Sequence, residues 1–199
     1  MRASSASSVP RVALLLGGTG LIPFAWYGLQ HAPYRREAAP AFDDLLQRWQ
    51  RHTSLPLSYL ACQDQRTVRQ RFTAYSATTL SFLGAVHWGA AMVGPAGTGI
   101  LARQYCFSVA PALLAWVALS VPETWGGSRD GTARHTLLAG GYLFSYMVDE
   151  WAAARKPVPA LPAWYTYLRT PLTCFVVILH CTAGALSRSP SVSDAAALQ

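Results

Sequence analysis

From position 9 to position 186 the chain alternates between long stretches without a charged side chain and short polar joints. Arg11 and Arg35 enclose 23 uncharged residues, Arg71 and Arg103 enclose 31, Arg103 and Glu123 enclose 19, and Arg169 and Arg188 enclose 18. A helix needs about 20 mostly apolar residues to cross the hydrocarbon of a bilayer. Four stretches therefore reach spanning length on their own. A fifth, between Arg134 and Asp149, holds 14 uncharged residues and must use Asp149 to Trp151 as its last turn. The pattern predicts an all-α fold: a multi-pass membrane helix bundle with five transmembrane spans at about 9–29, 72–94, 103–121, 135–153 and 166–186, forming one membrane domain. Helices are required there because lipid offers the backbone no hydrogen-bond partner.

The joints differ in kind. Gly94-Pro95-Ala96-Gly97-Thr98-Gly99 reads as a tight turn, Pro122 to Asp130 as a loop, and Pro157, Pro159 and Pro162 as a stiff link. The tail, 187–199, has the small polar composition of a flexible segment. The first joint, 31–70, is long for a bundle and reads as a soluble loop. Within it Phe42, Leu45, Leu46 and Trp49 fall at i, i+3, i+4 and i+7, one apolar face of a helix. Asp44 and Arg48 stand at a favourable i,i+4 spacing on another face. Such an amphipathic helix packs back onto the bundle, lies in the membrane interface, or docks a partner; the stripe alone does not choose.

Composition sharpens the solvent. Only 13% of the 199 residues are charged, against about 25% in soluble domains. Arginine outnumbers lysine 15 to 1, and the formal net charge is +7. These charges sit between apolar spans, which excludes a soluble nucleic-acid binder and points to topology signals beside anionic lipid. With the N-terminus on one side, side A, five spans place six basic residues there and ten on side B. That bias favours side B as the cytoplasmic or matrix face. The acid-free start MRASSASSVPR is compatible with mitochondrial targeting, and LQHAP offers no small-x-small cleavage site, so the first span is expected to be retained. Cys62, Cys106, Cys174 and Cys181 lack C-x-x-C spacing, and neither a disulfide framework nor a metal site is expected.

The candidate chemistry follows from depth. Spans two and four run from side B to side A, and spans three and five return. His87, Arg103, Asp149, Glu150 and Arg169 are thereby delivered to one leaflet, where an ion-paired cluster is expected because an isolated charge in hydrocarbon is costly. Its readings are structural glue, a substrate, quinone or proton site, or a metal or haem site. His180, the other histidine well inside a span, lies toward side B, offset from His87 by roughly 10 Å at helical rise. The two axial imidazoles of a haem need nearly the same height, so this offset argues against a bis-His haem. Ser81, Ala85 and Gly89 form a small-x-x-x-small stripe expected to pack helices closely, as do Ala13 and Gly17, while Gly140-Gly141 thins span four. Trp88, Trp151, Trp164 and Tyr165 map near the side A interface, where amphipathic rings collect.

Three segments, VPRVALLLGGTGLIPF, YSATTLSFLGAVHWG and LPAWYTYLRTPLT, resemble the DUF3429 family, which includes small bacterial membrane proteins and the eukaryotic transmembrane protein 69 group. The resemblance covers all five spans, with FLGAVHWG its most specific block. It implies a multi-pass membrane protein, mitochondrial in eukaryotes, and supplies no catalytic residue. The long first loop departs from the nearly bare bacterial bundle.

The expectation is a non-catalytic integral membrane protein, with no catalytic, cofactor or metal residues. It is expected to serve as an accessory subunit or assembly factor of a respiratory or ATP synthase complex in the mitochondrial inner membrane. Its expected partners are membrane lipids, anionic at the Arg-rich loops, and other membrane-protein subunits. The rival is a small transporter or redox-linked membrane protein using His87, Asp149, Glu150 and Arg169.

Overall fold

The computed structural model describes residues 9–31, 44, 48, 51–52, 65–93, 98–122, 131–155 and 161–186. Five long helices follow one another: α1 (Arg11–His31), α2 (Gln65–Val93), α3 (Thr98–Ser120), α4 (Thr132–Arg155) and α5 (Ala163–Leu186). No strand occurs among the described residues. Each helix overlaps a predicted span, with two clear displacements. α3 starts at Thr98 instead of 103, so Thr98 and Gly99, expected in the turn, belong to its first turn and Arg103 lies inside the helix. α2 starts at Gln65 instead of 72, so Arg66, Arg69 and Arg71 belong to its first two turns. Charge marks where a helix would leave hydrocarbon, not where its hydrogen bonding stops. Among the described residues, α5 is long and apolar enough to cross a membrane, over Trp164–Ala185.

Of the first loop, Asp44, Arg48, Arg51 and His52 are helical and exposed, and Arg48 pairs with Asp44 at 2.7 Å. The expected i,i+4 ion pair is therefore formed. Phe42, Leu45, Leu46 and Trp49 lie outside the described residues, as does the tail 187–199.

α2 packs most extensively on α3, and α4 on α5; α1 leans on α2 and α5, and α4 also touches α2 and α3. The apolar core gathers Phe24, Phe72, Leu80, Leu138, Tyr142 and Val176. Phe24 of α1 meets Phe72 and Tyr142 edge-on, with ring centroids 6.0 and 6.3 Å apart. Such pairs favour edge contact because the ring face is negative and its rim positive. Two tyrosines tie helices through backbone carbonyls: Tyr75 donates to Gly20 O and Tyr142 to Ser76 O, each at 2.8 Å.

The close helix contact is not where the small-residue stripe suggested. Ala85 and Gly89 are exposed, Ser81 is half-buried, and a Cβ on Gly89 would meet nothing within 4 Å. The α2–α3 contact lies on the face of Gly84, where a Cβ would collide with the Ser108 carbonyl oxygen and approach Pro111 Cγ to 3.4 Å. Small side chains permit close approach on any face; which face is used depends on what the neighbouring helix presents. The other expected small-residue contacts divide similarly. A Cβ at Gly141 would stand 2.6 Å from Leu80 Cδ2 and one at Gly17 3.3 Å from Leu172 Cδ1, whereas Gly140 is open.

Overpacking a tight contact costs roughly 1–3 kcal/mol. Gly84→Ala is expected at or above the top of that range, because backbone is what the methyl meets. Gly89→Ala should leave thermal unfolding in detergent unchanged. A Gly84→Ala protein as stable as the parent would contradict the α2–α3 contact.

Candidate functional site: a buried carboxylate and a buried histidine pair

Asp149 lies in the last two turns of α4, and its side chain is 1% exposed. Three groups converge on its carboxylate. His87 Nε2 of α2 stands 2.9 Å from Oδ1. Arg169 Nε of α5 donates to Oδ2 at 2.8 Å, and Tyr165 O–H reaches the same oxygen at 3.3 Å. A carboxylate only accepts, so the His87 ring carries its hydrogen on Nε2. Arg169, 4% exposed, also donates from Nη2 to Ser145 Oγ at 3.1 Å. Helical periodicity makes this possible. Ser145 and Asp149 are one turn apart on α4, and Tyr165 and Arg169 one turn apart on α5, so each pair shares a face.

Of the five residues expected to cluster, the structure joins three. Glu150 is half-buried and makes no ion pair among the described residues. Consecutive helical residues point about 100° apart, so Asp149 and Glu150 cannot both face the interior. Arg103 is exposed, and its guanidinium stands 5.3 Å from the centroid of the Trp151 ring. A cation near water satisfies itself over an indole face without entering a crowded carboxylate site. The four rings expected near side A also lie at this end. Trp151 meets Phe107, Trp88 meets Tyr105, and Trp164 meets Tyr165.

A second polar group, absent from the sequence expectation, is buried nearer the other end. His135 Nδ1 and His180 Nδ1 face each other at 3.0 Å. His180 Nε2 stands 3.0 Å from Ser76 Oγ, and its ring stacks on Phe72 with centroids 4.7 Å apart. At most one of the facing nitrogens carries a hydrogen, because two N–H groups cannot bond each other. Depth along the expected spans compares His180 with His87 alone, because His135 is the first residue of the expected span 135–153. The two helices lie antiparallel in a register that also brings Thr132 Oγ1 to Gly184 O at 3.5 Å and Tyr146 to Thr170 at 3.1 Å. The same register sets Asp149 on Arg169. No group of three or more His, Cys, Asp or Glu side chains that could hold a metal ion occurs among the described residues.

Several other hydroxyls are satisfied locally, whereas Thr173 Oγ1 is buried without a hydrogen-bond partner among the described residues. Thr73, Thr79, Ser81, Thr136 and Thr170 each donate to a carbonyl one turn back on their own helix. Such bonds satisfy a hydroxyl without a neighbour.

Compared with known families, residues 9–185 match the model described as "Protein of unknown function (DUF3429)". No curated protein and no solved structure matches the chain.

Removing one member of a buried ion pair strands the other, at about 3–5 kcal/mol when desolvation is complete. Asp149→Ala should approach that loss in detergent unfolding, while Glu150→Ala should stay within about 0.5 kcal/mol of the parent. Equal effects would refute the division between the two acids. At His87, Gln should be tolerated better than Leu by about 0.6 kcal/mol, and by no more than about 1.7. For the histidine pair, a double-mutant cycle over His135→Phe and His180→Phe should return a coupling of about 0.5 kcal/mol or more, as contacting residues do. A coupling of zero would mean the two rings do not interact.

Proposed function

The chain belongs to the DUF3429 family, and from that premise we propose that it is a non-catalytic, multi-pass membrane protein whose five helices all cross the bilayer. One observation carries the reading: beside its apolar core the bundle buries ionisable and polar side chains, while large apolar side chains are exposed on all five helices. Its buried residues include Ser76, His87, His135, Asp149, Arg169 and His180. Its exposed ones include Leu15 on α1, Phe82 on α2, Trp116 on α3, Met147 on α4 and Ile178 on α5, each at least 60% exposed. In water that distribution is unfavourable, because the hydrophobic effect penalises each of those faces. In lipid it is favourable, since tails cover the apolar faces and the polar groups find partners only in the interior.

The role we propose is that of an accessory subunit or assembly factor of a respiratory or ATP synthase complex in the mitochondrial inner membrane. Its support is the acid-free, Arg- and Ser-containing start, the added first loop, and a carboxylate cluster in which both Asp149 oxygens are bound by neighbouring side chains. One observation favours a second reading, a small transporter or redox-linked membrane protein: ionisable groups are buried in two separate networks in the bundle. Stoichiometric co-purification with one complex in mild detergent supports the first role. A solitary protein whose ion flux in proteoliposomes is abolished by His87→Gln supports the second.

The spanning arrangement has its own test. Cys106 and Cys174 are exposed on α3 and α5, far from the helix ends. Cys181, exposed near the end of α5, is removed together with Cys62. In that Cys62→Ser/Cys181→Ser background, both Cys106 and Cys174 should resist a membrane-impermeant maleimide in sealed or opened membranes and react after solubilisation in denaturing detergent. Rapid labelling in intact membranes would place those faces in water and overturn the reading.

A further inference from the structure

α4 packs on α5, α3 and α2 and turns its remaining side outward. Thr136, Gly140, Leu143, Met147, Glu150 and Ala154 follow one another on that side at alternating steps of four and three residues. This is the rhythm with which one helix meets another along its length, about 3.5 residues per turn. Glu150 is half-buried and the other five are exposed. The face is not built like one that meets lipid alone. The outward positions of α3 include Val109, Leu113, Trp116 and Val117, all large and apolar. On α4 only Leu143 and Met147 are of that kind. Gly140 leaves a notch, since a Cβ there would meet nothing within 4 Å. Small residues at such positions let a second backbone come close.

Glu150 says what the second helix must carry. Its carboxyl group makes no ion pair or hydrogen bond among the described residues, while Asp149 beside it takes three. Arg103, at the same end of the bundle, is engaged with the Trp151 ring instead. An ionisable group facing lipid is costly unless a partner compensates it. The small outward residues of α2, Ala85 and Gly89, bring no ionisable side chain with them and so select no partner. We propose that this face of α4 is the docking surface for one membrane-spanning helix of another subunit, which presents a lysine or arginine opposite Glu150 and packs against the Gly140 notch. The inference rests on the accessory-subunit reading and deepens it, naming the face used and the charge the partner brings. A second copy of the chain, inserted in the same sense and meeting along the same face, would set Glu150 against Glu150, and like charges there repel. Lipid tails cover Leu143 and Met147 but offer Glu150 no fixed donor.

The test uses the full chain in its native membranes, with p-benzoylphenylalanine in place of Met147. Irradiation should link that position to a spanning segment of a second protein that holds a lysine or arginine level with Glu150. Glu150→Gln keeps the shape and removes the charge, and should lower both the cross-link and co-purification about tenfold, the loss of one charge-assisted hydrogen bond. Gly140→Leu fills the notch and should lower both as well. Neither variant should lower the thermal unfolding temperature of the isolated chain, in which Glu150 has no polar partner and Gly140 faces open space. Glu150→Lys, combined with glutamate in place of the partner's cation, should restore the cross-link. Linkage to lipid alone or to another copy of this chain overturns the proposal, and so does an unchanged cross-link in either single variant. A chain that co-purifies with one complex yet meets only lipid at position 147 defeats this interface and leaves the accessory-subunit reading standing. A solitary chain defeats that reading itself, and the interface with it.

Discussion

The bundle is organised around one buried carboxylate. Asp149 brings together α2, α4 and α5 because His87, Arg169 and Tyr165 all terminate on its two oxygens. A carboxyl group this deeply buried is tolerated only while its partners stay in place, so the interaction constrains rather than merely joins. It sets the rotation of α4, since turning that helix by one residue would put Glu150 in its place. It also sets the axial position of α5, and the register that pairs Asp149 with Arg169 carries His135 onto His180. The two buried polar groups are thus two readouts of one helix–helix alignment.

Between them the interior is sealed by aromatic and aliphatic side chains. Phe24, Phe72, Leu80 and Tyr142 occupy it, and Tyr142 spends its hydroxyl on the Ser76 carbonyl. The polar groups are therefore separate networks, each closed by hydrogen bonds within its own neighbourhood. On the outside every helix presents large apolar side chains. Buried ionisable groups inside and large exposed apolar side chains outside are the two features that depart from the usual soluble domain. They give each helix a defined inner face without requiring that face to be the more hydrophobic one.

The α2–α3 pair uses a different device. Its contact depends on the absence of a side chain at Gly84, with Ser108 and Pro111 opposite. Close approach of this kind is stabilised by many weak contacts and destroyed by one methyl group. Pro111, buried inside α3, gives up a backbone hydrogen bond, and the packing holds the helix continuous around it.

The sequence by itself determined the five helices, their approximate limits and their antiparallel order, because charge-free length is a one-dimensional property. It also delivered His87, Asp149 and Arg169 to one level, since depth along a helix is counted in residues. It did not separate Asp149 from Glu150, or Arg169 from Arg103, because that needs each helix's rotation about its axis. It chose the wrong small-residue face on α2 for the same reason: Ser81, Ala85 and Gly89 have the right spacing, and Gly84 has the neighbour. It missed the His135–His180 pair because their meeting depends on the axial offset between two helices. Rotation and offset are decided by the partner surface, through steric fit and the pairing of buried polar groups, and neither is written along a single chain segment.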